Sequence, residues 1–358
     1  MGLRHGRGLM EKKKTFNIPA FCYWGLFVSF RMFCAALAAG LTAVASASVC
    51  AASLEVASVR PVTGYSSDAQ VTETKRPRSA LRRRAPSVAM RSGLRDTPDP
   101  LELSSSVAYM ADQDSGEVFF EKNADIVLPI ASVTKLMTAL VIMESELPLS
   151  AKLTVTKADY VRCKAESQLK SGMVLTREST LRAALMSSDN RAAHMLARTY
   201  PGGVKAFVAA MNAKAAELGM ESSHFSDPTG LSNDNVSTAR DLGLLAAAAH
   251  QHDMIRKAST TPVAYIDAGA RRLMMQTTNR LIGDPRWKVG LQKTGFTTAA
   301  GRCMVVQSEF AGHRLVMVVL DSETNGKRAD DMLRMRRWLE EETEFHTVFA
   351  QSKPWELM

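Results

Sequence analysis

The chain has 358 residues, 46% hydrophobic and 23% charged, which excludes a wholly disordered, collagen-like or multi-span membrane protein. Five cysteines are too few for a disulfide-dense scaffold. The net charge of +9 sits at one end. Basic residues outnumber acidic ones by ten over residues 1–97, so residues 98–358 sum to −1, which argues against nucleic acid as a partner of the folded part.

A basic segment ends at Lys14. An apolar stretch interrupted by Arg31 follows, then the run Met32 to Val44, then small residues in which Ala45 and Ala47 satisfy the small-x-small cleavage rule. This is the pattern of an export signal over residues 1–47, with a periplasmic destination. An uncleaved anchor is the alternative, but Arg31 near the middle of the span would be costly. Residues 48–97 are rich in Ser, Arg, Pro and Ala without apolar periodicity, and read as a disordered basic linker. Its Arg82-Arg83-Arg84 run is either a solvated charge cluster or a tether to an anionic envelope surface. One folded domain is expected over 98–358.

Within it, Val107–Met110 and Glu117–Phe120 flank the turn cluster Asp112–Gly116, a β-hairpin signal. Pro129 and Ser132 introduce a helix running to about Glu144, with Val133, Leu136, Met137, Leu140 and Val141 at helical spacing. The middle is mostly helical: Leu181–Ser187, Asn190–Thr199, Val204–Leu218 and Thr238–His252. Two apolar runs, Met304–Val306 and Leu315–Leu320, form a second hairpin, and residues 328–342 form a closing amphipathic helix. Strands at both ends with helices between predict an α+β fold, the first hairpin completing the sheet of the last strands. Cys163 and Cys303 read as two partly buried thiols. No His/Cys cluster has metal-ligand spacing, and no cofactor motif occurs.

Three short motifs occur in order: Ser132-Val133-Thr134-Lys135 at a helix start, Ser188-Asp189-Asn190 between two helices, and Lys293-Thr294-Gly295 just before the strand pair. Each alone fits a helix cap or a turn. Together they fit nucleophilic acyl chemistry. A serine hydroxyl needs a base, and Lys135, three residues on, lies one turn away on the same helix face. Desolvation and a second cation, Lys293, would lower the Lys135 pKa. Ser188 suits a proton relay to a leaving amine, and Asn190 a hydrogen bond to Lys135 or to a substrate amide. Lys293 and Thr294 suit a carboxylate, and Gly295 lets a substrate backbone approach. His194 has no Gly-x-Ser-x-Gly elbow to serve.

On these motifs the sequence resembles the serine DD-peptidases among low-molecular-weight penicillin-binding proteins, and within them the D-alanyl-D-alanine endopeptidase branch. The resemblance covers about residues 104–350. It includes Glu121–Ala139, Met186–Ala193, Asp227-Pro228-Thr229-Gly230-Leu231, Ser237–Leu242 and Lys293–Phe296. It implies a penicillin-recognising, transpeptidase-like fold: an antiparallel sheet packed by helices, with a helical subregion. It implies Ser132 as acyl-enzyme nucleophile, Lys135 as its base, Ser188 and Asn190 as the second motif, and Lys293, Thr294 and Gly295 as the third. The amides of Ser132 and Phe296 would form the oxyanion hole. The implied substrate is peptidoglycan crosslinked through D-alanine, with β-lactams as inhibitors and no cofactor. Hydrolysis of terminal D-alanine is the alternative, and a β-lactamase a more distant one, since Glu166 reads as a solvated charge. The resemblance does not account for the basic linker.

Overall fold

A computed structural model describes residues 85–351 apart from 164–165 and 311; the expected export signal and residues 48–84 of the expected linker lie outside the described residues. Residues 85–97 differ from the linker reading. They form a one-turn helix, α1 (Val88–Arg91), and a 3-10 turn at Leu94–Asp96. Ser87 caps α1 by accepting the Met90 amide at 3.1 Å, and Ala89 is fully buried. The charge of this stretch hides that anchoring from composition.

The hairpin follows as β1 (Val107–Asp112) and β2 (Val118–Lys122). Asp112 Oδ1 accepts the amides of Asp114 and Ser115 at 2.8 and 2.9 Å, which closes the turn. A short β3 (Leu128–Pro129) leads to a 3-10 turn at Ala131–Thr134 and to α2 (Lys135–Glu144). Then come the small ribbon β4 (Lys152–Thr154) and β5 (Val174–Thr176), α3 (Arg177–Met186), α4 (Asn190–Arg198) and α5 (Gly203–Glu217). Next are β6 (Val236–Ser237), which pairs with β3, α6 (Ala239–His250) and α7 (Asp253–Thr260). A second ribbon, β7 (Val263–Asp267) with β8 (Arg272–Gln276), precedes the long strands β9 (Lys288–Thr297), β10 (Gly301–Phe310) and β11 (His313–Ser322). Helix α8 (Asn325–Gln351) closes the described chain.

The main sheet is antiparallel, in the order β2-β1-β11-β10-β9. Strand β1 pairs with β11, Val107 opposite Leu320, so the first hairpin completes the sheet made by the last strands. Side-chain alternation splits the core. Tyr109, Val305, Val316, Val318 and Leu320 face the helical cluster with Leu136, Leu140 and Leu245. Met110, Met304, Val306, Met317 and Val319 face α8 through Met332, Met335 and Leu339. Truncating one such buried Leu or Met costs about 2–5 kcal/mol. Strand β9, longer than its apolar content suggests, forms one edge and carries Lys293-Thr294-Gly295 within it rather than ahead of the strand pair. The site is built along that edge.

Candidate active site

Ser132 lies in the 3-10 turn and Lys135 begins α2, one turn further on. Lys135 Nζ is 2.9 Å from Ser132 Oγ. Its other partners are Asn190 Oδ1 at 2.7 Å and the Thr229 carbonyl at 2.6 Å, atoms that only accept. The side chain is wholly buried, and among the described residues it makes no ion pair. Burial lowers its pKa to about 7, against the opposing pull of the Asp227 and Asp189 charges. A neutral amine has two N–H groups and one lone pair. Asn190 and Thr229 take the two hydrogens, so the lone pair is left for the Ser132 hydroxyl proton.

Lys293, also wholly buried, donates to Ser188 Oγ at 2.9 Å and to the Thr294 carbonyl at 2.6 Å. Burial, then the charges of Lys135 and Arg328, hold it well below the ordinary lysine value. Desolvation is the largest cause of the lowering at both lysines, and the repulsion between them works in the same direction. Ser188 bonds Lys293, whereas its expected relay role pairs it with Lys135. Asp189 does act as a cap: Oδ1 accepts the Ala192 amide at 3.0 Å and Oδ2 the Ser167 hydroxyl at 2.7 Å. That fixes the turn in which Ser188, at φ +59°, and Asn190 reach the site from either side of the cap.

Thr294 Oγ1 lies 2.6 Å from Thr278 Oγ1. A Cβ on Gly295 would come 2.9 Å from the Ile130 carbonyl and 3.0 Å from the Ser132 amide, so glycine lets β9 lie against the nucleophile turn. Ser132, Ser188, Asn190, Thr294, Gly295 and Phe296 line one cavity of about 460 Å³, with Lys135 and Lys293 buried behind them. The structure therefore brings all eight expected residues together. His194 faces elsewhere, with Nδ1 3.3 Å from Asp159 Oδ1. Glu166 is exposed and lines a neighbouring cavity of about 340 Å³.

Sequence reasoning gave no role at the site to Asp227, Gly230, Arg328 or Cys163. The Asp227 carboxylate accepts the amides of Thr229 (2.5 Å), Gly230 (2.8 Å) and Ser232 (2.8 Å), folding the Thr229 carbonyl onto Lys135. Gly230, at φ +79°, sits under the nucleophile turn, where a Cβ would lie 1.9 Å from the Ala131 carbonyl. The Asp-Pro-Thr-Gly turn was the available signal. Arg328 of α8 is 6% exposed and lines the cavity; Nη1 donates to the Cys303 carbonyl at 3.1 Å and its buried Nε has no partner. Among the described residues it makes no ion pair, and burial lowers its pKa to about 10. A Lys-Arg pair at a helix start carries no sequence signal for this. Cys163 also lines the cavity, its Sγ 3.4 Å from Asn190 Nδ2, and forms no disulfide with Cys303. Burial pushes the Cys303 thiol up to about 12.

The family described as D-alanyl-D-alanine carboxypeptidase matches residues 95–324. A D-alanyl-D-alanine endopeptidase of Pseudomonas aeruginosa is 44% identical over 67% of this chain and 78% of its own. One of Escherichia coli is 40% identical over 72% and 84%. Among solved structures, a Streptomyces DD-transpeptidase aligns with a TM-score of 0.62 at 29% identity, over 66% of this chain and 97% of its own. An ampicillin-bound penicillin-binding protein of Listeria monocytogenes aligns with a TM-score of 0.59 at 33% identity, over 66% and 98%.

Proposed function

The chain belongs to the D-alanyl-D-alanine carboxypeptidase family of serine peptidases, and from that membership we propose how its residues divide the work. Ser132 Oγ attacks the carbonyl of a D-alanyl bond in peptidoglycan, and its proton passes to the lone pair of Lys135. The Ser132 and Phe296 amides receive the developing oxyanion. Ser188, whose oxygen is held by Lys293, has its own O–H left for the leaving nitrogen. Asn190 orients Lys135 through Oδ1 and turns its amide N–H toward the cavity side that holds Cys163. Arg328, a buried cation without a carboxylate of its own, and Thr294 receive a substrate carboxylate beyond the scissile bond. As Ser188 gives its proton to the leaving nitrogen it recovers one from Lys135, which is neutral again; water then releases the acyl group from Ser132 with Lys135 as base, and the proton taken from water returns to Ser132.

The observation that carries this reading is a wholly buried lysine with two obligate acceptors and one serine hydroxyl. The bond cut is assigned to a crosslink, since the relatives of 44% and 40% identity are named endopeptidases while a Bacillus subtilis carboxypeptidase is 28% identical. A β-lactamase reading lacks support, because Glu166 does not line the cavity over Ser132. Incubation with a crosslinked muropeptide dimer, read by mass spectrometry, tests the assignment. Conversion to monomers that Ser132→Ala abolishes supports it. Loss of only a terminal D-alanine moves the enzyme to carboxypeptidase.

Export to the periplasm and contact of the basic stretch before residue 85 with the anionic envelope belong to the same proposal. Unchanged binding to sacculi at low salt after deletion of residues 48–84 would remove the contact.

A further inference from the structure

Residues 85–94 precede the family match, which begins at 95. Together with Arg95 they form a strap across the end of the sheet, pinned at three points. The Val88 amide donates to the Ala299 carbonyl at 2.9 Å. Arg95 Nη2 reaches the Asp321 carbonyl at 2.8 Å and its carboxylate at 3.0 Å. Asn123 Nδ2 donates to the Leu94 carbonyl at 3.1 Å. Between this strap and the β9–β10 turn lies a groove of about 720 Å³, larger than the cavity over Ser132. Pro86, Met90 and Arg95 form one wall, and Phe296, Thr298 and Arg302 the other. Phe296 and Thr298 line both spaces, so the groove continues the active-site cleft.

We infer that this groove is a subsite for the acyl-side strand of the peptidoglycan substrate, holding the N-acetylated amino sugar that carries the stem peptide. The inference rests on the DD-peptidase reading of Ser132. Strand β9 is a sheet edge, onto which an extended peptide can add as a further strand. With the reacting carbonyl at Ser132 and a carboxylate beyond it at Thr294 and Arg328, the acyl side runs the other way, past Thr297 and Thr298. At about 3.3 Å per residue, a few residues of stem peptide carry the chain into the groove.

The lining fits a sugar better than a charged ligand. Arg95 and Arg302 are offset by Asp321 and Glu323, leaving no net charge. Met90 is 45% exposed, and Phe296, 44% exposed, carries the Arg302 guanidinium 4.8 Å from its ring centroid, so apolar surface and a stacked cation stand together at the mouth of the cleft. Apolar surface beside hydroxyl, carboxylate and guanidinium groups suits the C–H faces, hydroxyls and acetamide of an amino sugar. The three pins mean the groove is formed before substrate arrives.

The test uses the full chain with two crosslinked dimers, one bearing its sugars and one with the sugars removed by an amidase. The wild type is expected to favour the sugar-bearing dimer about tenfold in kcat/KM, the size of one well-packed contact. Met90→Glu should abolish that preference while cleavage of the sugar-free dimer and acylation by penicillin stay within about twofold. Thermal unfolding of the variant, expected to match the wild type because Met90 is exposed, guards against a folding defect. Equal rates on both dimers in the wild type would overturn the subsite. A Met90→Glu loss shared equally by both dimers would also overturn it, assigning the strap to support of Ser132. Failure of penicillin to acylate the wild type would fall on the DD-peptidase reading instead, and the groove would lose the reaction it serves.

Discussion

Among the described residues three lysines lie almost wholly out of water, in two parts of the molecule. Lys122, on β2, meets the Asp99 carboxylate at 2.8 Å, with side-chain exposures of 2% and 5%. Asp99 also accepts the Leu101 and Leu103 amides at 3.0 and 3.1 Å, so the ion pair ties the entering chain to the sheet. Lys135 and Lys293 meet only hydroxyls, carbonyls and one side-chain amide. A buried ammonium beside a carboxylate has its counter-charge and holds structure together. Without one, its charged form is disfavoured and the proton is given up more readily, at about pH 7 for Lys135. Which partner the fold supplies thus separates a structural lysine from a chemical one.

Lys135→Arg puts the largest strain on this comparison. Arginine keeps the charge and never yields the proton, so labelling by a fluorescent penicillin should fall by about 10⁴-fold. If labelling persists, Lys135 is not the base.

Gly230→Ala leaves both lysines in place but pushes on the Ala131 carbonyl. A displacement of the nucleophile turn by about 1 Å should cost on the order of 10²-fold in the acylation rate. Unchanged acylation would show that the turn tolerates the shift.

A smaller effect is expected from pH. The acylation rate should fall about tenfold per unit below pH 7 as Lys135 takes a proton. Stability should move in the same sense. Between about 7 and the ordinary lysine value of 10.5 the unfolded chain binds a proton that folded Lys135 has released, so stability rises with pH. Lys293 adds with the same sign, and Cys303, raised to about 12 from 9.0, opposes only above about 9. Melting temperature should therefore climb from pH 7 to 9, and Lys135→Met should flatten that climb.

Lys122→Met should leave penicillin acylation within about twofold while lowering unfolding free energy by about 3–5 kcal/mol, since Asp99 loses its buried partner. A chemical-denaturation curve checks the second number, and an acylation defect in folded protein would erase the distinction between the two regions.

Much of this was legible in the sequence. The Asp112–Gly116 turn and the apolar runs on either side located the first hairpin. The same alternation in Leu315–Leu320 located β11, and the two strands pair. The three motifs located the cavity because each pairs a local structural role with a side chain left over for chemistry, as Asp189 does in capping α4 between Ser188 and Asn190. Strand β9 was underestimated because its lysines, threonine and glycine read as a turn, while its neighbours β10 and the Ser132 turn dictate an extended backbone. The Thr229 carbonyl and Arg328 were invisible for a different reason. A backbone oxygen has no residue type, and the counter-charge missing around Arg328 is a property of packing alone.

Ala131, at φ +49°, precedes Ser132, and Ser188, at φ +59°, stands across the cavity from it. Side chains other than glycine resist that backbone region, at about 1–3 kcal/mol each. Glycine at either place would relieve that strain, loosening the nucleophile turn at Ala131 and removing the working hydroxyl at Ser188. Selection has accepted two awkward residues where easier ones were within reach. A search for heat tolerance alone would drift toward replacing them, and would trade turnover for endurance at two of the strained points that border the nucleophile.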